Sequence, residues 1–226
     1  MGLGARILDL LYPPKCAFCG TLVSREDAGI CPACLRDLPR TADLRRSADF
    51  VTGVTAPLYY EGTVRQAMLR YKFNGAPARG EVYGRLIAGE LRRTEKTDFD
   101  AVTWAPLSRQ RLRRRGYDQA RILAEAAAGE LGLPCVPLLR KVRHTPPQSG
   151  IGEPEARRAN VSGVYTAADA GGTAGKRILL IDDIITTGAT ISECARVLLL
   201  AGAESVHAAA LAVPRRDKNN NREESG

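Results

Sequence analysis

Aromatic side chains are scarce, at 5% of a 226-residue chain whose hydrophobic content is 44%. That balance points to a globular core built from aliphatic residues. Long apolar runs are also missing. No stretch approaches the ~20 residues that a membrane-spanning helix needs, so no membrane contact is expected. The phosphate-binding signatures of two large fold groups are absent as well. No GxGxxG follows a strand pattern, which excludes the usual dinucleotide fingerprint. Gly175-Lys176 precedes its strand, has Ala170 where an upstream glycine would stand and is followed by Arg177, so it is not a P-loop. There is no internal repeat. Residues 1–15 make a poor secretory signal, because Arg6 and Asp9 interrupt the apolar run and no small-residue cleavage site follows. Leu3, Ile7, Leu10 and Leu11 instead recur at helical spacing, which suggests a short amphipathic helix and a cytoplasmic protein.

What the chain does have is positive charge, with 33 basic against 25 acidic residues and a net charge of +8. Much of the excess is local: Arg109, Arg111, Arg113, Arg114 and Arg115 crowd one short segment. Such a patch favours polyanions, either a pyrophosphate or a nucleic acid backbone.

Four of the six cysteines form two pairs, Cys16/Cys19 and Cys31/Cys34, with eleven residues between them. Each CxxC turn lets two thiolates converge on one ion, and two turns complete a tetrahedral shell. Gly20 and Pro32 suit the tight turns. Two disulfides in a secreted mini-domain are the alternative, and the weak signal sequence argues against them. A redox CxxC would occur once, at a strand–helix junction. A closed four-cysteine zinc site is structural and not catalytic. Cys135 and Cys194 read as buried free thiols.

Residues 178–190, ILLIDDIITTGAT, carry the most chemistry. Ile178, Leu179, Leu180 and Ile181 read as a strand buried on both faces, followed by two carboxylates, a small-residue turn and a helix opening at Gly188-Ala189. Open α/β sheets bind ligands at that edge. The backbone amides of Thr186, Thr187, Gly188, Ala189 and Thr190 can wrap a phosphate at the helix start. Asp182 and Asp183 can accept hydrogen bonds from a pair of sugar hydroxyls. Phosphate beside a diol describes a ribose 5-phosphate. The duller alternative is a turn rich in capping threonines with two solvated aspartates.

The chain divides into a helix and ribbon at 1–40, an α/β domain at 41–213 and a charged tail at 214–226 that is expected to be disordered. A strand pair or strand-turn is expected at 48–60 and helices around Val64–Met68–Tyr71 and Tyr83–Leu91. Strands are expected at 99–104, 136–139 and 161–165, and a helix at 120–131. A βαβ unit closes the domain, with strand 178–183, helix 189–201 ending at Gly202, and strand 205–213.

Asp182-Asp183 with Thr186-Thr187-Gly188-Ala189-Thr190 resembles the signature of the type I phosphoribosyltransferases, which hold phosphoribosyl pyrophosphate (PRPP). The segment Arg113-x-Arg115-Gly116-Tyr117-x-Gln119 is similar to the ComF family, competence-associated proteins with a zinc ribbon and a phosphoribosyltransferase-like domain. So are Tyr71-Lys72-Phe73, Thr145-x-x-Gln148 and Arg157-x-x-Asn160. Taken singly these have plain readings too: the arginine run as a solvated helix start or a nucleic acid patch, Lys72 as a surface charge, Gln148 and Asn160 as loop caps, Arg157 paired with Glu153 or Glu155. Asp118 stands where family members often carry Asn.

The resemblance implies a mostly parallel sheet flanked by helices, a structural Zn2+ on Cys16, Cys19, Cys31 and Cys34, and Mg2+ carried by PRPP. It assigns the ribose and the reacting centre to Asp182 and Asp183, and the 5-phosphate to residues 186–190. A second strand-end loop at 105–108, with Ser108, Arg109, Arg113 and Arg115, would hold pyrophosphate, and residues 109–116 would form a covering loop. Two functions follow from it. One is transfer of ribose 5-phosphate to an unspecified acceptor; the other is a non-catalytic PRPP- or nucleotide-sensing adaptor. Single-stranded DNA and a competence helicase-type protein are the partners that the basic patch and the resemblance suggest.

Overall fold

The structure is a computed structural model that describes residues 13–24, 26–42, 44, 46–73, 77–142, 163–168 and 171–215. The expected N-terminal helix, the Thr145–Gln148 and Arg157–Asn160 motifs and nearly all of the expected tail lie outside the described residues.

The sheet is built around β6 (Arg177–Ile184), flanked by β7 (Ser205–Val213) and β3 (Ala101–Trp104). Every pair in this sheet is parallel: Leu180 lies opposite Ala208, and Val102 opposite Leu179. β1 (Val54–Thr55) and β2 (Leu58–Tyr59) both pair with the outer side of β7. They are one strand interrupted at Ala56-Pro57, and the antiparallel bridge of Arg40 to Leu58 covers the outer side of its second half. The expected strand pair at 48–60 therefore does not pair with itself.

Alternation along β6 explains its unbroken apolar run. Ile178 and Leu180 enter one core and Leu179 and Ile181 the other, so both faces are buried. On the first core packs α6 (Ala189–Leu200). On the second pack α2 (Gly62–Phe73), α3 (Arg79–Arg93) and α5 (Gln119–Leu131). α3 and α5 approach closely at Gly84, where an added Cβ would stand 2.7 Å from the Leu123 carbonyl oxygen.

A strand expected at 136–139 is displaced. Pro134 and Pro137 confine the sheet contact to a single bridge between Cys135 and Val102, after which the chain leaves the sheet. It then pairs antiparallel as β4 (Leu139–Lys141) with β5 (Tyr165–Ala167).

The arginine run is also not a loop. It forms a two-turn helix, α4 (Arg109–Arg115), whose N-cap Ser108 accepts a hydrogen bond from the Arg111 amide and which Gly116 closes. Arginine is a good helix former, and the Ser cap and Gly stop bracket it. No helix among the described residues is long and apolar enough to cross a membrane.

Candidate functional site

At the N-terminus, Cys31 caps the short helix α1 (Pro32–Asp37) with its sulfur, which accepts from the Cys34 amide. The Cys31 amide in turn donates to the Cys16 sulfur at 3.4 Å. All four sulfurs lie within 4.8 Å of one another, and Cys19 and Cys31 are 3.6 Å apart. Thiolates on a tetrahedral zinc at ~2.3 Å stand ~3.8 Å apart, so this donor set fits zinc. None of the four is in a disulfide.

The ribbon is joined to the domain. Cys16, Ala17, Phe18, Ile30 and Leu38 belong to the same buried cluster as Met68, Tyr71 and Tyr83. The Tyr83 hydroxyl donates to the Ala17 carbonyl at 2.7 Å, and the Phe18 and Tyr83 rings lie 5.4 Å apart.

At the C-terminal ends of the strands lies a cleft of about 490 Å3. Among the residues expected in the site, Asp182, Asp183, Thr186, Gly188, Ala189, Thr190 and Arg115 line it. Thr187, Ser108, Arg109 and Arg113 do not. Thr187 accepts from the Ala189 amide, and Ser108 is buried as the helix cap. Helical spacing explains the arginines: Arg111, Arg114 and Arg115 share the cleft face of α4, while Arg109 and Arg113 fall on its exposed outer face.

Gly188 caps α6 with φ +84, a left-handed conformation that favours glycine. An added Cβ there would also come within 3.0 Å of Ala48. The Arg46 guanidinium donates to the carbonyls of Thr186 and Pro214, fixing the loop from outside. Asp182 accepts from the Asp183 amide at 2.8 Å. Burial, and then the charge of Asp183, raise the Asp182 carboxyl well above the usual carboxylate range. Asp183 is paired with Lys72 at 3.0 Å, both side chains being largely shielded. Lys72 is thus no mere surface charge.

Two of the resembling segments interlock. The Tyr117 hydroxyl donates to the Tyr71 carbonyl, and the Tyr71 hydroxyl to the Gln119 carbonyl at 3.0 Å. Arg115 donates to the Gln119 side chain at 2.8 Å and lies over the Phe73 ring at 5.4 Å. Asp118 accepts from the Leu107 amide at 3.0 Å and N-caps α5, tying loop 105–108 to that helix. Burial raises its pKa. Lys141 and Tyr165 also line the cleft, and nothing in the sequence marked them.

A family model described as Phosphoribosyl transferase domain matches residues 117–225, and one described as Double zinc ribbon domain matches residues 7–44. Competence protein ComFC of Streptococcus pneumoniae (strain ATCC BAA-255 / R6) is 30% identical over 195 residues, which cover 84% of each chain. The chain belongs to the ComF family. Another ComF relative, Competence protein F of Haemophilus influenzae (strain ATCC 51907 / DSM 11121 / KW20 / Rd), is 27% identical over 88% of this chain and 84% of its own. Among solved structures, glutamine phosphoribosylpyrophosphate (PRPP) amidotransferase from B. subtilis, complexed with ADP and GMP, is similar with a TM-score of 0.39. The identity there is 25%, over 57% of this chain and 25% of that one. The mostly parallel sheet with flanking helices is the phosphoribosyltransferase-like domain of this ComF protein, and its four-cysteine cluster is the zinc ribbon.

Proposed function

We propose that this chain binds PRPP together with Mg2+ in the strand-end cleft, transferring or sensing its ribose 5-phosphate, and that it serves competence as its relatives' names describe. One observation carries the reading: the carboxylate pair, the glycine-capped loop and three arginines of α4 line a single cleft. In this reading residues 186–190 and the start of α6 take the 5-phosphate. Asp182 and Asp183 accept from the ribose hydroxyls. Arg111, Arg114 and Arg115, beside loop 105–108, neutralise the pyrophosphate. If the ring gains positive charge as pyrophosphate departs, the two carboxylates stabilise the ring and the arginines the leaving group.

Carboxylate oxygens are hard donors that suit Mg2+. Lys72 already neutralises Asp183. The arrangement therefore fits a metal carried on PRPP oxygens and reached from the aspartates through water. Bound there, Mg2+ would offset phosphate charge.

The exposed outer face of α4, with Arg109 and Arg113, favours a second reading. This is a sensing adaptor whose outer arginines hold single-stranded DNA, or a competence helicase-type protein, while the cleft holds PRPP. Release of pyrophosphate from PRPP, with and without nucleobases, separates transfer from sensing. Calorimetry with PRPP and Mg2+ tests the site itself. Binding is expected in the wild type and absent in Asp182→Ala plus Asp183→Ala. Undiminished binding in that double variant would place the site elsewhere.

A further inference from the structure

One wall of the cleft has no part in the roles above. Lys141 of β4 lies directly across the ladder from Tyr165 of β5, and both side chains line the cleft. The Lys141 ammonium donates to the Tyr165 hydroxyl at 3.1 Å and stands 4.9 Å from the centre of its ring. Tyr165 is buried. A flexible lysine is thereby stationed at one place, with part of its ordering cost met by the fold itself.

Its surroundings do not account for its charge. The groups acting on it are Arg111 from α4, Asp118 at the start of α5, Asp182 from β6, Tyr165 from β5 and Cys194 from α6. Among the described residues no carboxylate pairs with it at ion-pair distance, and the strongest charge acting on it is that of another cation, Arg111. A half-buried ammonium facing an arginine across a cleft is an arrangement that an anion completes.

We propose that Lys141, held by Tyr165, is a further anion-binding residue of the cleft that contacts a phosphate group of the bound sugar phosphate. This assignment rests on the PRPP reading. Its consequence is a pH dependence with a definite sign. Burial, and then the charge of Arg111, lower the Lys141 pKa to about 8. Only the protonated lysine attracts phosphate, so affinity is full below pH 8 and is lost as pH rises through it. For one such proton the loss between pH 7 and pH 9 is about tenfold. Protonation of PRPP itself is largely over by pH 7, because phosphate monoesters have a second pKa of about 6.

PRPP–Mg2+ titrations of the full chain at several pH values between 7 and 9 test this. The wild type should weaken about tenfold across the range. Lys141→Arg stays charged throughout and should lack the tenfold step of the lysine, keeping only the slope that Asp182 gives every variant. Lys141→Met should be weaker at pH 7 and lack that step as well. Tyr165→Phe keeps the packing and should move the midpoint to lower pH, since the ammonium loses an acceptor. Asp182 also titrates, but it is intact in every variant, so the difference between wild type and Lys141→Arg reports the lysine alone. If the wild type binds PRPP and Lys141→Met keeps both its affinity and its slope, the lysine role is wrong and the PRPP reading stands. If the wild type binds no PRPP at any pH, both fall together.

Discussion

The zinc ribbon and the strand-end cleft are two sites made in opposite ways. All four ligands of the ribbon lie between Cys16 and Cys34, on two turns whose geometry is set within a few residues. The cleft draws Lys72 from α2, Arg111, Arg114 and Arg115 from α4, Lys141 from β4, Tyr165 from β5, Asp182 and Asp183 from β6, and Thr186, Gly188, Ala189 and Thr190 from the loop that opens α6. A local site depends on one ion. An assembled site depends on the whole fold, because its charged groups come from α2, α4, β4 and β6. The two nevertheless share a core, because Phe18 packs on Tyr83 in the cluster that also buries Tyr71, the residue before Lys72.

Removing the metal is the harshest way to break this comparison. Structural zinc contributes roughly 10 kcal/mol or more to folding in small domains. Chelation, or Cys31→Ser, should open residues 13–40 to protease and also lower the melting temperature of the sheet, because the core is common to both. Circular dichroism and limited proteolysis follow the two regions. An unchanged sheet transition after zinc loss would show the ribbon to be an independent module.

Acid sharpens the contrast through a different group. His207 is buried in β7, its ring nitrogens lying 2.9 Å from the Thr55 hydroxyl and 3.4 Å from that of Thr52. Burial lowers its pKa to about 4. The folded state therefore prefers the neutral ring, and the unfolded chain takes up the proton first. The resulting stability is complete above about pH 6.5 and is lost as pH falls toward 4, a span worth ~3 kcal/mol. Denaturant melts of wild type and His207→Gln across that range should converge as pH falls. Parallel curves would remove His207 as the cause.

The same contrast decides what could be read from the sequence. Both-face burial of 178–181, the aspartate pair and the glycine before α6 are written in consecutive residues, and so is the CxxC spacing. Ser108 and Gly116 bracket the arginines in a way that signals a helix. Once that helix is formed, the split between Arg111, Arg114 and Arg115 on one face and Arg109 and Arg113 on the other follows from its period. Taking the segment as a loop merged the two sets. The Lys72–Asp183 pair and the Lys141–Tyr165 register join residues far apart in sequence, and no local pattern encodes such partners. Pro57 and Pro137 disrupted strands whose apolar residues alone suggested longer ones.

The most direct measurement is a crossed titration on the two faces of α4, with PRPP–Mg2+ and with a single-stranded oligonucleotide. Arg111→Ala plus Arg114→Ala plus Arg115→Ala should weaken PRPP about a thousandfold or more, since charge-assisted hydrogen bonds contribute ~1.5–3 kcal/mol each. Arg109→Ala plus Arg113→Ala should leave PRPP binding unchanged and, if the outer face meets DNA, lower the salt slope for the oligonucleotide by about 0.7 per lost contact. PRPP affinity that survives the triple change, or that falls only in the outer double variant, would contradict a pyrophosphate site on the inner face of α4.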